Sequence, residues 1–189
     1  MARSILLIFL VVFSASVGAQ GLSYDYLQGS YGRVDLDDSS FSADGDGFGI
    51  SGSIAFNENF HVSGEYQTAE MDFGVDLSLL EVALGYNTNI SENLDLTAQV
   101  GYLNVDVDAS GIVSADDDAF LIGGGVRAML ADNVELNGGL DYIDFDAGDG
   151  EMRANAEFLV GLTEELAVGL KATFWDDVNI YQISLRLNF

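Results

Sequence analysis

Apolar and polar residues alternate one for one along most of this chain, and short polar segments interrupt the alternation at similar intervals. Four such segments, at 57–59, 88–93, 131–133 and 163–165, are each followed by the same kind of stretch. Residues 60–66, 94–102, 134–142 and 166–174 alternate apolar with polar or small side chains and finish on an aromatic: Tyr66, Tyr102, Tyr142 or Phe174. A period of two gathers the apolar side chains of a strand on one face. Stretches of the same quality lead into the turns at 48–56, 80–86, 120–130 and 152–162, so the repeating unit is a hairpin with a tight turn. An opening strand at 22–34 and a closing one at 179–189 bring the count to about ten. Eight is the alternative, because the first strand has ambiguous parity and 67–79 is weakly patterned. Strands of about 9 to 11 residues cross a bilayer obliquely. The pattern therefore predicts an all-β fold, a transmembrane antiparallel up-and-down barrel whose even strand number puts both termini on one side.

Parity assigns the faces. Phe48, Ile50, Val62, Val82, Leu84, Val100, Ile122, Val126, Leu140, Leu170 and Ile183 are expected against lipid. His61, Glu65, Glu81, Asp95, Gln99, Arg127, Glu135, Asp141, Arg153, Glu157, Lys171 and Arg186 are expected to line the lumen. Hairpin arithmetic sets Glu157 opposite Lys171 and Asp141 opposite Arg153, facing pairs that stabilise a sheet. It also sets Glu65 beside Glu81, a like-charge pair that needs Arg127 from across the lumen, a bound cation or a shared proton. Many inward positions are small, among them Gly49, Gly85, Gly101, Gly123, Gly125 and Gly169. They either leave a thin water path or make room for long side chains opposite.

At the N-terminus, Arg3 precedes an apolar run from Ile5 to Phe13, and Val17, Gly18 and Ala19 are the small residues a signal peptidase requires. Residues 1–19 are expected to be a cleaved signal peptide and 20–189 one barrel domain. A soluble sandwich shares the alternation, but the signal peptide and the aromatics at strand ends disfavour it. The chain has no cysteine, hence no lipoprotein attachment site and no disulfide framework. Its formal net charge is −25, and all 31 acids lie beyond residue 19. Nucleic acid is thereby a poor partner. A mean hydropathy of +0.23 beside so much acid requires that the two be segregated in space. The acids collect in the connections opposite the tight turns, as at Asp35, Asp37, Asp38, Asp44 and Asp46, and at Asp106, Asp108, Asp116, Asp117 and Asp118. Those connections are therefore read as acidic surface loops.

Catalytic chemistry is not expected. The one histidine, His61, lies far from the loop acids, no nucleophile motif is visible and no cofactor motif is present. Asp35, Asp37 and Asp38, and Asp116, Asp117 and Asp118, offer the oxygen ligands that divalent cations prefer, yet neither cluster has a complete calcium-loop spacing. Loose attraction of counter-ions is the reading their charge favours.

The last strand places Tyr181, Ile183, Leu185, Leu187 and Phe189 on one face. It resembles the closing strand of bacterial outer-membrane barrels, whose assembly machinery recognises such an end. With the signal peptide, the opening segment 22–26 and the repeated hairpins, the whole mature chain resembles the small outer-membrane β-barrel, porin-like superfamily that includes the OmpX and OmpA membrane domains. It departs from their usual eight strands. The resemblance implies the Gram-negative outer membrane as location, periplasmic termini, and outer-membrane lipid and the barrel assembly machinery as partners. It leaves two functions open: a narrow, cation-preferring channel for small solutes or ions, or a closed structural barrel whose acidic extracellular loops serve surface interaction, adhesion or envelope integrity. If the closing strand is the assembly signal, deleting Phe189 lowers the outer-membrane level of the protein while periplasmic precursor or fragments rise, as fractionation and immunoblotting would show.

Overall fold

The period-two stretches form ten strands: β1 (Tyr26–Asp38), β2 (Phe41–Ala55), β3 (Phe60–Met71), β4 (Val75–Ser91), β5 (Leu94–Ala109), β6 (Val113–Ala131), β7 (Val134–Phe145), β8 (Glu151–Gly161), β9 (Leu166–Trp175) and β10 (Val178–Asn188). Each pairs antiparallel with its neighbour in sequence, and β1 pairs with β10 to close a barrel. This computed structural model describes residues 22–38, 41–109, 113–146 and 150–189, so the expected signal peptide lies outside the described residues. Among them no helix is long and apolar enough to cross a membrane. Both ends of the barrel wall lie with the tight turns, where the Phe189 N–H donates to the Asp25 carbonyl at 3.1 Å.

The outward face carries what a hydrocarbon environment selects. Ile50, Ile54, Val62, Val82, Leu84, Val100, Ile122, Leu140, Leu170 and Ile183 are all exposed. Aromatic contacts flank them: Phe56, Phe60 and Tyr86 at the turn end, Tyr31 with Phe48 and Tyr102 with Phe120 at the other. Between Phe120 and Leu130, ten residues on a tilted strand climb roughly 25 Å, the height of a lipid-facing band. The assembly-signal residues Tyr181, Ile183, Leu185, Leu187 and Phe189 belong to this exposed face.

Two expectations are corrected. The opening strand begins at Tyr26, not near Leu22, and extends to Asp38; residues 22–25 are not part of the wall. The acidic connections are mostly strand: Asp35, Asp37 and Asp38 lie in β1, Asp44 and Asp46 in β2, Asp106 and Asp108 in β5, and Asp116, Asp117 and Asp118 in β6. The reason is a reversal of polarity. On β5, Leu96, Val100 and Tyr102 point out, but beyond Tyr102 the outward positions are Asn104, Asp106 and Asp108, while Leu103 is buried inside with Val105 packed against the same cluster. The same change occurs on β4, β6, β7 and β10, where Leu79, Leu121, Ile143 and Ile180 lie inside. Period two continues through the girdle, with apolar residues moved from the outer face to the inner. A strand leaving lipid for water must make this exchange, because its outer face then meets solvent.

The girdle therefore marks a membrane surface. Val126→Arg, near the middle of the apolar band, is expected to cost about 2 to 4 kcal/mol in a urea refolding titration in lipid vesicles, and Phe120→Arg at the rim about 0 to 1 kcal/mol.

Candidate functional site: the barrel lumen

Every inward-facing charge predicted by parity is found inside the barrel, and the side chains are wired to one another. Three tiers follow from the turn end upward. In the first, Arg127 donates to Glu135 at 2.6 Å, and Asp95 accepts from Asn89 at 2.6 Å. In the second, Arg186 donates to Glu157 at 2.7 Å and to Gln28 at 2.7 Å, while Gln28 donates to Glu157 at 2.9 Å. Lys171 on β9 reaches across to Glu65 on β3 at 2.8 Å. In the third, Arg153 on β8 binds Glu81 on β4 at 2.7 Å and Asp141 on β7 at 3.0 Å, and Gln99 donates to Asp141 at 2.7 Å. Asp95 and Asp141 are each only 2% exposed, so hydrogen bonds replace the water that each carboxylate has lost.

The predicted registers hold: Glu157 lies opposite Lys171, Asp141 opposite Arg153 and Glu65 opposite Glu81. The predicted partners hold only in part. Lys171 binds Glu65 rather than its neighbour Glu157, which takes Arg186 instead. The Glu65 and Glu81 pair is relieved by Lys171 and Arg153 rather than by Arg127. A lysine or arginine is long enough to span a narrow lumen, so Lys171 and Arg153 each reach a carboxylate across the barrel, whereas Arg127 pairs with Glu135 on the adjacent strand. Glycines serve this reach: a Cβ on Gly85 would collide with the His61 ring, and one on Gly123 with the Asp141 carboxylate. Of the two readings of the small residues, room for long side chains is the one realised at these positions.

Sequence reasoning missed two parts of the lumen. Above Asp141 and Arg153 lies an apolar layer in which Leu103, Ala119, Leu121, Ile143 and Trp175 are buried, with Leu79, Val105 and Phe145 packed against them; Ile143 is 0% exposed. Parity alone could have found it, since each of these residues continues an inward row. At the turn end Tyr24, outside any strand, occupies the mouth, and no periodic signal marks it. Between these lies a cavity of about 240 Å³, lined by the charged network together with small, polar and apolar side chains.

On the outer rim, Asp118 accepts from Tyr102 at 2.5 Å and from Asn104 at 2.8 Å, and these bonds hold its carboxyl below the usual value. Asp35 faces Arg33 at 2.8 Å, and Arg33 also pairs with Asp44. The side chains of Asp37 and Asp38 lie outside what is described. Among the described residues no group of three carboxylate or imidazole side chains converges as a metal ion would need.

The family model of the outer membrane protein beta-barrel domain matches residues 5–163. A comparison with curated proteins finds no match. Among solved structures, an outer membrane channel from Pseudomonas putida F1 is similar with a TM-score of 0.54 and 7% identity, over 94% of this chain and 100% of the other. The translocator domain of the autotransporter NalP from Neisseria meningitidis gives 0.52 and 7%, over 90% of each chain. A KdgM porin gives 0.48 and 10%, over 89% of this chain and 99% of the other. At such identities the likeness is one of fold.

Arg153 neutralises two carboxylates at once. Arg153→Met is expected to lower stability by about 3 to 5 kcal/mol, because Glu81 and Asp141 are then buried without their base. Urea unfolding followed by tryptophan fluorescence would measure this through Trp175, whose ring centre lies 5.9 Å from the Arg153 guanidinium.

Proposed function

The chain belongs to the outer membrane protein beta-barrel family, and on that premise we propose that it is a closed barrel of the Gram-negative outer membrane that acts through its acidic outer rim. The turn end and both termini face the periplasm in this reading, and the strand extensions with their acids project outward. The observation that carries it is the filling of the lumen. Its charges are spent on one another from wall to wall, and an apolar layer stands above them. Water and ions have no favourable route through buried leucine, isoleucine and tryptophan. The rim, by contrast, is exposed and strongly negative, with Asp106, Asp116, Asp118 and Asp144 on outward positions of neighbouring strands. Such a surface gathers cations and cationic partners, which suits surface interaction and a contribution to envelope integrity through divalent counter-ions.

A second reading is the narrow, cation-preferring channel. It is favoured by the cavity and by the excess of acid over the lumen as a whole: Glu65, Glu81, Asp141 and Glu157 at the cavity and Asp95 and Glu135 beyond it, against Arg127, Arg153, Lys171 and Arg186. Planar-bilayer recording on refolded protein separates the two. The closed reading expects no steady conductance beyond the bare bilayer. Steady currents whose reversal potential in a salt gradient reports cation preference, weakening as salt rises, would replace it with the channel. Anion preference would contradict both.

A further inference from the structure

The geometry points to residues 23–25 as a detachable plug of the turn-end mouth, a short segment that turns into the barrel before β1 and controls access to the cavity from that side. This deepens the closed-barrel reading and rests on it, because the apolar layer is taken to close the other end. Tyr24 is the centre of the plug. Its hydroxyl donates to Asp95 on β5 at 3.0 Å, its ring stacks on His61 of β3 at 4.6 Å between centroids, and the Arg127 guanidinium of β6 lies 4.4 Å from the ring centre. Arg127 also donates to the Ser23 carbonyl at 3.0 Å. The neighbouring Asp25 carboxylate accepts from the Ala55 N–H of β2 at 2.7 Å, and the Asp25 carbonyl accepts from Phe189. Three residues thus bind to β2, β3, β5, β6 and the end of β10, which a continuation of the wall could not do. Tyr24 and Tyr26 are themselves part of the cavity lining.

What distinguishes a plug from a fixed core is the state left behind when it leaves. Arg127 keeps Glu135 at 2.6 Å and Asn137 at 3.2 Å. Asp95 keeps Asn89 at 2.6 Å. Each buried charge thus keeps a polar partner when the segment leaves, although Asp95 gives up one of its two side-chain hydrogen bonds. Tyr24 is half-buried, held by one hydrogen bond, one ring stack and one cation–π contact, each individually weak. Local opening of such a segment is far less costly than opening the wall.

The chain's lack of cysteine permits a direct test. Ser63→Cys places a single thiol on the cavity lining, on the strand that carries His61 and Glu65. The full refolded protein is treated with a water-soluble cationic methanethiosulfonate, and labelling is scored only in the unboiled, folded gel band. The thiol of the parent is expected to react slowly, and to react faster by about tenfold or more in Tyr24→Ala. Tyr24→Phe, which retains the ring contacts and loses the bond to Asp95, is expected to fall between. Equal rates in parent and Tyr24→Ala would overturn the plug, as would fast labelling of the parent. Failure of Tyr24→Ala to give a folded band would also overturn it, since the segment would then be part of the framework. Conductance of the otherwise native protein would contradict the closed barrel, whereas the ratio of these labelling rates reports on the turn-end mouth alone.

Discussion

The register between β1 and β10, from Tyr26 opposite Asn188 to Leu36 opposite Val178, removes the last free edge of the sheet. In hydrocarbon an unpaired backbone N–H or C=O has no water to bond, so a sheet crosses a membrane only when it closes on itself. Closure then dictates what the side chains do. One face of each strand meets lipid and the other an interior whose width is set by strand number. A barrel of eight strands is just filled by ordinary side chains, and ten leave a wider gap. Here arginine, lysine, glutamate and tryptophan reach across it.

Charged filling carries a desolvation cost, and four bases cannot pair singly with six carboxylates. The surplus is absorbed by sharing, as with Arg153 between Glu81 and Asp141, and by neutral donors such as Asn89 and Tyr24 at Asp95. Apolar residues could fill the same volume as stably. They would not specify register. Slipping any of β3 to β10 by a single residue would put its charged side chain into lipid, so the charged rows lock the phase of these eight strands below the girdle. Above it the phase is locked by the opposite arrangement, with acid outside and leucine, isoleucine and valine inside. The girdle at Tyr102 and Phe120 is where one rule gives way to the other.

The strand pattern, the closing strand, the lipid face and the inward charges were legible from residues alone, because period two and hairpin turns act over short distances in sequence. The pairing of Glu157 with Lys171 in register was legible for the same reason. The bond from Lys171 to Glu65 was not, since it depends on closure and on the reach of a side chain between β9 and β3. Leu103 and Ile143 escape a reading that ends their strands at Tyr102 and Tyr142, although period two simply changes face there. Tyr24 had no local signature at all: its role arises from strands far along the chain that converge at the mouth.

Cross-barrel pairing of buried charge is the claim on which the filled lumen stands, and a double-mutant cycle on Glu65 and Lys171 tests it most directly. Glu65→Gln, Lys171→Met and the double variant would be compared by urea unfolding in lipid vesicles. Pairing across the lumen predicts that the double variant is more stable than the sum of the single losses implies, with a coupling of about 1 to 3 kcal/mol. Strict additivity would contradict it, and would mean that the two side chains meet water rather than each other.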